Sequence, residues 1–272
     1  MQLQKINNIK VKPLIGGSID IEKIRGNKLF PSKNPAIFLL GKRMSGKTST
    51  IGEILKKCAG KKSTIHFYVS TIYQDDTYKE IIKMLKNKGI TNIEKNTNID
   101  NLAELVNELE LKYKEDDDEE EDVKGSGKKE KQFQMKYIMV DEDEEDEEKK
   151  EKKDRMITPP HIFIFDDMSH ALRSPIIAKL LKNGRHFCMI LLSSQNLNDL
   201  LPESILQLNY CLMFPQIPKE KLLETHRKMD LAIPANKFLE LYYFATNEPY
   251  HFLYVSSKGT FRKDFNYEFK DF

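Results

Sequence analysis

The feature that most constrains the fold of this chain is residues 41–48, which read Gly-Lys-Arg-Met-Ser-Gly-Lys-Thr. They follow directly on the apolar run 36–40 and precede a stretch with helical character. A strand, a tight turn and a helix in this order offer free N–H groups and the positive end of a helix dipole to an anion. Gly41 and Gly46 suit the turn because neither has a Cβ that would block phosphate oxygens. The pattern predicts a nucleotide site, and its alternative is a glycine-rich turn with a surface lysine.

The predicted loop supplies both the phosphate ligands and one ligand for a metal ion. Lys47 is expected to reach the β- and γ-phosphates, and the Thr48 hydroxyl is expected to bind Mg²⁺. The predicted ligands are therefore ATP and Mg²⁺. The candidate nucleotide-binding residues are Gly41, Lys42, Arg43, Met44, Ser45, Gly46, Lys47, Thr48 and Ser49.

A second apolar run, residues 161–165, ends in the acidic pair Asp166 and Asp167. A carboxylate at the end of a strand beside a phosphate-binding loop can hold Mg²⁺ through water, and we assign this role to Asp166. Asp167 is then placed to orient or deprotonate the attacking water. The alternative is that the pair caps the helix that follows.

Two further side chains are candidates for phosphate sensing and charge neutralisation. Gln195 follows the predicted buried strand 187–194, so its amide is expected near the γ-phosphate and the attacking water. Glutamine after a strand is otherwise an ordinary polar loop residue. Phosphoryl transfer also gains from an arginine of a neighbouring subunit, and Arg185 is our candidate over Arg173 and Arg227. A surface salt bridge is the alternative role for each of the three.

Apolar strand-like runs alternate with helix-like stretches through most of the chain, which predicts an α/β fold with a mostly parallel sheet and helices on both faces. Residues 1–34 are interpreted as an N-terminal arm with room for one edge strand, and residues 35–272 as one P-loop ATPase domain. A β-hairpin is predicted over residues 250–255 and 260–265. The other predicted strands are 36–40, 64–71, 161–165, 187–194 and 209–214, and the helices are 48–58, 77–88, 99–113, 175–182, 219–229 and 236–245.

Charge is distributed unevenly along the 272 residues, whose net charge is +2. Residues 115–155 hold 19 acidic and 10 basic side chains, which leaves 23 acidic and 34 basic elsewhere, a net charge of +11. That surplus favours a polyanionic partner such as DNA, although nucleotide binding would use part of it. The acidic segment is predicted to be a mobile insertion because it has too few apolar residues to offset its ordering entropy. It is either a solvated loop or a nucleic-acid mimic that occupies the basic surface.

The remaining composition points to a soluble protein in a reducing compartment. Cys58, Cys188 and Cys211 form no C-x-x-C pair, and two of them lie in apolar runs, so they are expected to be buried and reduced. No run approaches the roughly 18 to 20 apolar residues that cross a bilayer. The six histidines show no metal-ligand spacing.

Four features occur together in this chain: the glycine-rich loop, the strand ending in Asp166 and Asp167, the turn at 184–186 and the strand before Gln195. In this combination they resemble the genome-packaging ATPases of large double-stranded DNA viruses. These poxvirus-type enzymes belong to the FtsK/HerA superfamily of P-loop DNA pumps. The resemblance covers residues 35–265. It implies a RecA-like sheet in which the strand before Gln195 lies between the P-loop strand and the Asp166 strand.

The resemblance also implies an activity and partners. It implies ATP hydrolysis coupled to translocation of double-stranded DNA into a capsid by a homo-oligomeric ring, a pentamer or a hexamer. A capsid or portal-vertex protein would dock the ring in the virion or at a viral assembly site in the host cytoplasm, with no membrane partner. Relatives often have an arginine shortly before the residue equivalent to Asn209, where this chain has Gln207 and Leu208. Most relatives also have glutamate at the position of Asp167.

Two other classes of function share the same ATP site. One is another P-loop enzyme, either a helicase-like ATPase or a small-molecule kinase, although a kinase lid usually carries several arginines and residues 115–155 do not provide them. The other is a nucleotide-gated scaffold with little turnover. A kinase is expected to release a phosphorylated acceptor rather than free phosphate, and stimulation of phosphate release by DNA separates a packaging motor from the scaffold.

Overall fold

The computed structural model describes residues 19–122, 139–140 and 156–270. Its strands are β1 Ala36–Leu40, β2 Thr64–Val69, β3 Ile93–Asn96, β4 Met139–Val140, β5 Met156–Ile157, β6 His161–Asp166, β7 Cys188–Ser194, β8 Tyr210–Met213, β9 Leu253–Ser256, β10 Phe261–Lys263 and β11 Tyr267–Glu268. Its α-helices are α1 Lys47–Cys58, α2 Asp76–Asn87, α3 Leu102–Asp122, α4 Pro175–Asn183, α5 Pro202–Ile205, α6 Lys219–Lys228 and α7 Ala235–Ala245.

Within the described residues, nine strands form one sheet in the order β3-β2-β6-β7-β1-β8-β9-β10-β11. Each pairing from β3 to β8 is parallel, and the three pairings from β8 to β11 are antiparallel. The prediction of a mostly parallel α/β sheet is therefore confirmed. The strand before Gln195, β7, lies between β1 and β6, as the resemblance implied.

Helices cover both faces of this sheet, and the side chains of β1 show how the two cores are divided. Phe38 and Leu40 point into one core, together with apolar residues of α3, α4, α6 and α7. Ile37 and Leu39 point into the other core, together with residues of α1 and α2. Because both faces of a central parallel strand are buried, such strands are continuous apolar runs in the sequence.

The two edges of the sheet differ from the predictions. Strand β3 pairs with β2 in parallel but was not predicted, because its sequence Ile-Glu-Lys-Asn has no apolar run. The predicted C-terminal hairpin is present as β9 and β10, and it is extended by β11 and joined to the main sheet through β8. Edge strands are held by backbone hydrogen bonds to one neighbour, so side-chain patterns predict them poorly.

The predicted arm and insertion are only partly covered by the described residues. Phe30 of the arm is buried, and its ring centroid lies 4.9 Å from that of Tyr210. Within the described part of the arm, Ile24 forms a single bridge to Ile157 instead of the edge strand that was considered. Helix α3 continues to Asp122, past the predicted start of the insertion at residue 115. The prediction of mobility for residues 123–138 and 141–155 lies outside the described residues.

Cys58, Cys188 and Cys211 are all buried free cysteines, as expected. Burial raises the pKa of the Cys58 thiol to about 12, so this side chain stays protonated near neutral pH. No helix in the described ranges is both long enough and apolar enough to span a bilayer.

Candidate nucleotide-binding site

The glycine-rich loop connects the end of β1 to the start of α1 at the carboxyl edge of the sheet. Gly46 caps α1 with a φ of 101°, which a residue with a Cβ rarely adopts. A Cβ on Gly41 would lie 2.7 Å from both the Cβ of Phe214 and the Oγ of Ser45. The glycines at both ends of the loop are therefore required by its path and its packing.

The Lys47 side chain lies across this loop. Its Nζ donates hydrogen bonds to the carbonyl oxygens of Gly41 at 2.9 Å and of Lys42 at 2.7 Å. Burial lowers the pKa of the Lys47 ammonium, and the charges of Asp166 and Asp167 oppose that shift. The three side chains are therefore close enough to interact electrostatically.

The Asp166 carboxylate is buried at the end of β6 and accepts two hydroxyl hydrogen bonds on one oxygen. Thr48 Oγ1 donates to Asp166 Oδ2 at 3.0 Å, and the Tyr78 hydroxyl donates to the same oxygen at 2.6 Å. Burial and the nearby Asp166 charge raise the pKa of Tyr78 well above its ordinary value, so its hydroxyl remains a donor. Strand β6 and helices α1 and α2 thus meet at one carboxylate.

Asp167 is exposed and has a left-handed backbone, with a φ of 54°. Ser70 Oγ donates to its carbonyl oxygen at 3.1 Å, and its own N–H donates to Asp166 Oδ1 at 3.2 Å. Partial desolvation of its carboxyl group and the Asp166 charge raise the pKa of Asp167, while Lys47 and Arg43 lower it. A carboxylate whose pKa is raised is a stronger proton acceptor.

Gln195 is exposed and lies directly beside the glycine-rich loop, because the N–H of Gly41 donates to the carbonyl of Ser194 at 3.1 Å. The Ser194 hydroxyl donates to Asp199 and lies 3.3 Å from the hydroxyl of Ser169. These contacts join the segments that follow β6 and β7. The segment after Asp167 and the segment that carries Gln195 are therefore in direct contact.

The structure does not bring Arg185 to the glycine-rich loop of its own chain. Arg185 is exposed in the turn before β7, whereas Gln195 follows the end of that strand. The length of β7 separates them by roughly 20 Å. Arg173 lies at the other edge, where its guanidinium donates to the carbonyl of Asn198 at 2.7 Å, and Arg227 is exposed on α6.

The residues present fit a nucleoside triphosphate with a divalent metal ion. Among the described residues, the buried Oγ of Ser45 has no hydrogen-bond partner, so the loop contains a hydroxyl group that bonds to no protein group. The Thr48 hydroxyl and the Asp166 carboxylate are hard oxygen ligands of the kind Mg²⁺ prefers. The described residues contain no cluster of three or more His, Cys, Asp or Glu that could hold a metal alone. A metal here would take further oxygens from phosphate or water.

Tyr78 and Asn209 have roles that the sequence pattern did not indicate. Tyr78 looks like an ordinary apolar-face residue of α2, and only the packing of α2 against β6 reveals its contact with Asp166. Asn209 ties β8 to β1, because its side chain accepts from the N–H of Ala36 at 2.8 Å and its N–H donates to the Ala36 carbonyl at 2.9 Å. Neither role has a local sequence signal.

The sheet order and the position of the glycine-rich loop define the class of protein, which has the α/β fold of P-loop NTPases. No family model matches the chain, and no curated protein matches it. Solved structures do resemble it. One is the genome packaging NTPase B204 from Sulfolobus turreted icosahedral virus 2 in complex with AMP, at 16% identity and a TM-score of 0.51, covering 85% of this chain and 96% of that chain.

Two further B204 structures resemble the chain equally well. The complex with AMPPCP is 17% identical with a TM-score of 0.50, covering 85% of this chain and 97% of that chain. The DNA-packaging ATPase B204 from Sulfolobus turreted icosahedral virus is 15% identical with a TM-score of 0.50, covering 86% and 98%. The structural neighbours are thus viral genome-packaging NTPases, in agreement with the family resemblance, and at these identities they establish the fold.

Proposed function

We propose that this protein is an ATP-hydrolysing motor that moves double-stranded DNA into a viral capsid. One observation carries the catalytic part of the proposal. Three adjacent parallel strands, β1, β7 and β6, end at one edge of the sheet, and the segments that follow them bring Lys47, Gln195, Asp166 and Asp167 around one glycine-rich loop. A cation, an amide and two carboxylates around an anion site are the groups that phosphoryl transfer to water requires.

Each side chain has a distinct part in this chemistry. Lys47 would neutralise the β- and γ-phosphates after exchanging its carbonyl partners for phosphate oxygens. Asp167 would accept a proton from water as the water oxygen bonds to the γ-phosphorus and the β–γ bridging oxygen leaves with ADP. Gln195 would contact the γ-phosphate and the attacking water. Mg²⁺, held by Thr48 and Asp166, would neutralise charge that develops between the β- and γ-phosphates.

The DNA and assembly parts of the proposal are supported by other features. The residues of the sequence outside 115–155 carry a net charge of +11, which favours a polyanionic partner. Arg185 is exposed at the edge of the sheet away from its own site, so it could act only on a nucleotide of a neighbouring subunit. We therefore propose a homo-oligomeric ring around the duplex, docked on a capsid or portal-vertex protein. The fold of B204, a DNA-packaging ATPase, supports the same function.

Phosphate release measured with and without duplex DNA, together with molecular mass in ATP, tests the proposal directly. The wild type should release phosphate faster with DNA and form a ring in ATP. DNA-independent hydrolysis by a monomer would contradict the motor and favour another P-loop enzyme. Negligible turnover despite ATP binding would favour a nucleotide-gated scaffold.

Variants then test the site itself. Lys47→Ala should lower hydrolysis by about a hundredfold or more, because it removes a positive charge that acts in the transition state. Lys57→Ala is the matched control, since Lys57 is an exposed lysine on the same helix and should leave hydrolysis unchanged. Asp167→Asn should bind ATP without hydrolysing it. Unchanged turnover in Lys47→Ala would refute the site, and lost ATP binding in Asp167→Asn would transfer metal binding to Asp167.

A further inference from the structure

Tyr250 lies beside the glycine-rich loop although it is more than 200 residues away in sequence. Leu253, the first residue of β9, is the partner of Met213, the last residue of β8, and these two strands are antiparallel. The segment before β9 therefore lies at the carboxyl edge of the sheet, where the glycine-rich loop also lies. A Cβ placed on Gly46 would be 3.2 Å from Cδ1 of Tyr250 and 3.9 Å from its Cβ.

The conformation of Tyr250 is unusual for a bulky side chain. Its φ is 67°, in the left-handed region, and its side chain is 72% exposed. Burial does not explain an aromatic residue here, and neither does local backbone preference, since a left-handed backbone strains a bulky side chain. Strained residues of this kind concentrate at ligand sites.

The segment that carries Tyr250 is fixed on its C-terminal side. Asp264 accepts from the N–H of Phe252 at 3.0 Å, and its own N–H donates to the Phe252 carbonyl at 3.0 Å. His251 pairs with Asp264 at 2.5 Å and with Glu248 at 3.1 Å. The backbone next to the exposed ring is thus anchored beside the loop.

The order of the strands determines which end of a nucleotide would meet this ring. Asp166 is the last residue of β6 and Gln195 follows β7, and both strands lie on one side of β1. The γ-phosphate must point to that side in order to reach these groups. The base and ribose would then extend to the opposite side of β1, over β8 and β9, where Tyr250 lies.

We infer that Tyr250 is a stacking platform for the purine base of the bound nucleoside triphosphate, an inference that rests on the nucleotide site of the proposed function. Stacking on an aromatic face requires only a π-surface, so the ring supplies affinity for a purine and little discrimination between adenine and guanine. The phosphate contacts of the loop are independent of the base. The two contributions can therefore be separated with a ligand that has phosphates but no base.

The test compares binding of AMPPCP and of inorganic tripolyphosphate to the full chain, each with Mg²⁺, by calorimetry. Tyr250→Ala should weaken AMPPCP binding between about fivefold and about 150-fold and leave tripolyphosphate binding unchanged. Tyr250→Phe should bind AMPPCP like the wild type, because the aromatic face remains. Tyr267→Ala is the control, since Tyr267 is 69% exposed on β11, and it should change neither affinity.

Three outcomes overturn the inference, and they are distinguishable. Wild-type affinity of Tyr250→Ala for AMPPCP would show that the ring does not contact the base. Equal weakening for AMPPCP and tripolyphosphate would show that the ring only packs against the loop at Gly46. A wild-type chain that binds neither ligand would refute the nucleotide site itself, and the inference with it.

Discussion

The hydrogen bond from Tyr78 to Asp166 makes a prediction whose size can be worked out from the structure. Tyr78 is 1% exposed and Asp166 is 2% exposed, so water cannot replace the bond when it is removed. At 2.6 Å it is a short bond to a carboxylate that also accepts from Thr48. Hydrogen bonds to charged groups contribute about 1.5–3 kcal/mol to stability. Tyr78→Phe should therefore lower the free energy of unfolding by about 2 kcal/mol.

Tyr68→Phe is a matched control because it makes the same chemical change on a neighbouring element. The Tyr68 ring is buried, but its hydroxyl donates to the neutral side chain of Asn101, which is exposed, at 3.2 Å. Water can replace this partner, so the loss should be below about 1 kcal/mol.

Urea unfolding at neutral pH, in the absence of nucleotide, measures both variants. The midpoint should fall clearly further for Tyr78→Phe, with an unchanged dependence on urea concentration. In thermal unfolding a loss of about 2 kcal/mol corresponds to a fall of roughly 4–8 °C in Tm for a chain of this size. Equal losses in the two variants would refute the view that Tyr78 stabilises a buried charged carboxylate.

Acid pH and subunit mixing test two further features. Burial, and then the neighbouring His66, lower the pKa of His161 to about 4. A histidine with a lowered pKa leaves the fold fully stable above pH 6.5, near its ordinary pKa, and that stability is lost as the pH falls toward 4. The wild type should therefore lose about 2 kcal/mol more stability between pH 7 and pH 5 than His161→Gln does. Equal losses of the two proteins in urea unfolding would contradict this. If Arg185 acts on a neighbouring subunit, Arg185→Ala and Asp167→Asn should each be inactive alone but recover phosphate release when co-expressed, because a mixed ring contains intact sites beside intact arginines. Asp167→Asn co-expressed with Lys47→Ala should recover none, and an inactive first mixture would argue against the arginine acting between subunits.

The interior of the fold was predictable because burial on both faces leaves a direct signature in the sequence. Every residue of β1 and β7 is buried, so β1 is an uninterrupted apolar run and β7 is apolar up to its last two residues, Ser193 and Ser194. Strands β3 and β11 were not predicted, because their residues are mostly exposed and only backbone pairing holds them. The continuation of α3 to Asp122 was also missed, since a run of acidic residues was interpreted as too polar to be ordered.

The candidate site likewise contains residues that the sequence predicted and residues that it did not. The glycine-rich loop and Asp166 were predictable because phosphate and metal binding require particular residue types at fixed spacing. Tyr78 and Tyr250 were not, because each reaches the site through the packing of a distant segment. No local pattern distinguishes such a tyrosine from one that only fills a core or a surface.

The left-handed backbone of Asp167 limits what evolution can place at this position. The proposed role in accepting a proton restricts the choice to aspartate or glutamate, whereas a φ of 54° favours glycine, asparagine and aspartate. Aspartate is the one amino acid that belongs to both sets, which accounts for its presence where the family resemblance leads us to expect glutamate. Replacement by glutamate would therefore require a compensating change in the turn after β6, so residue and turn geometry are expected to diverge together among homologues.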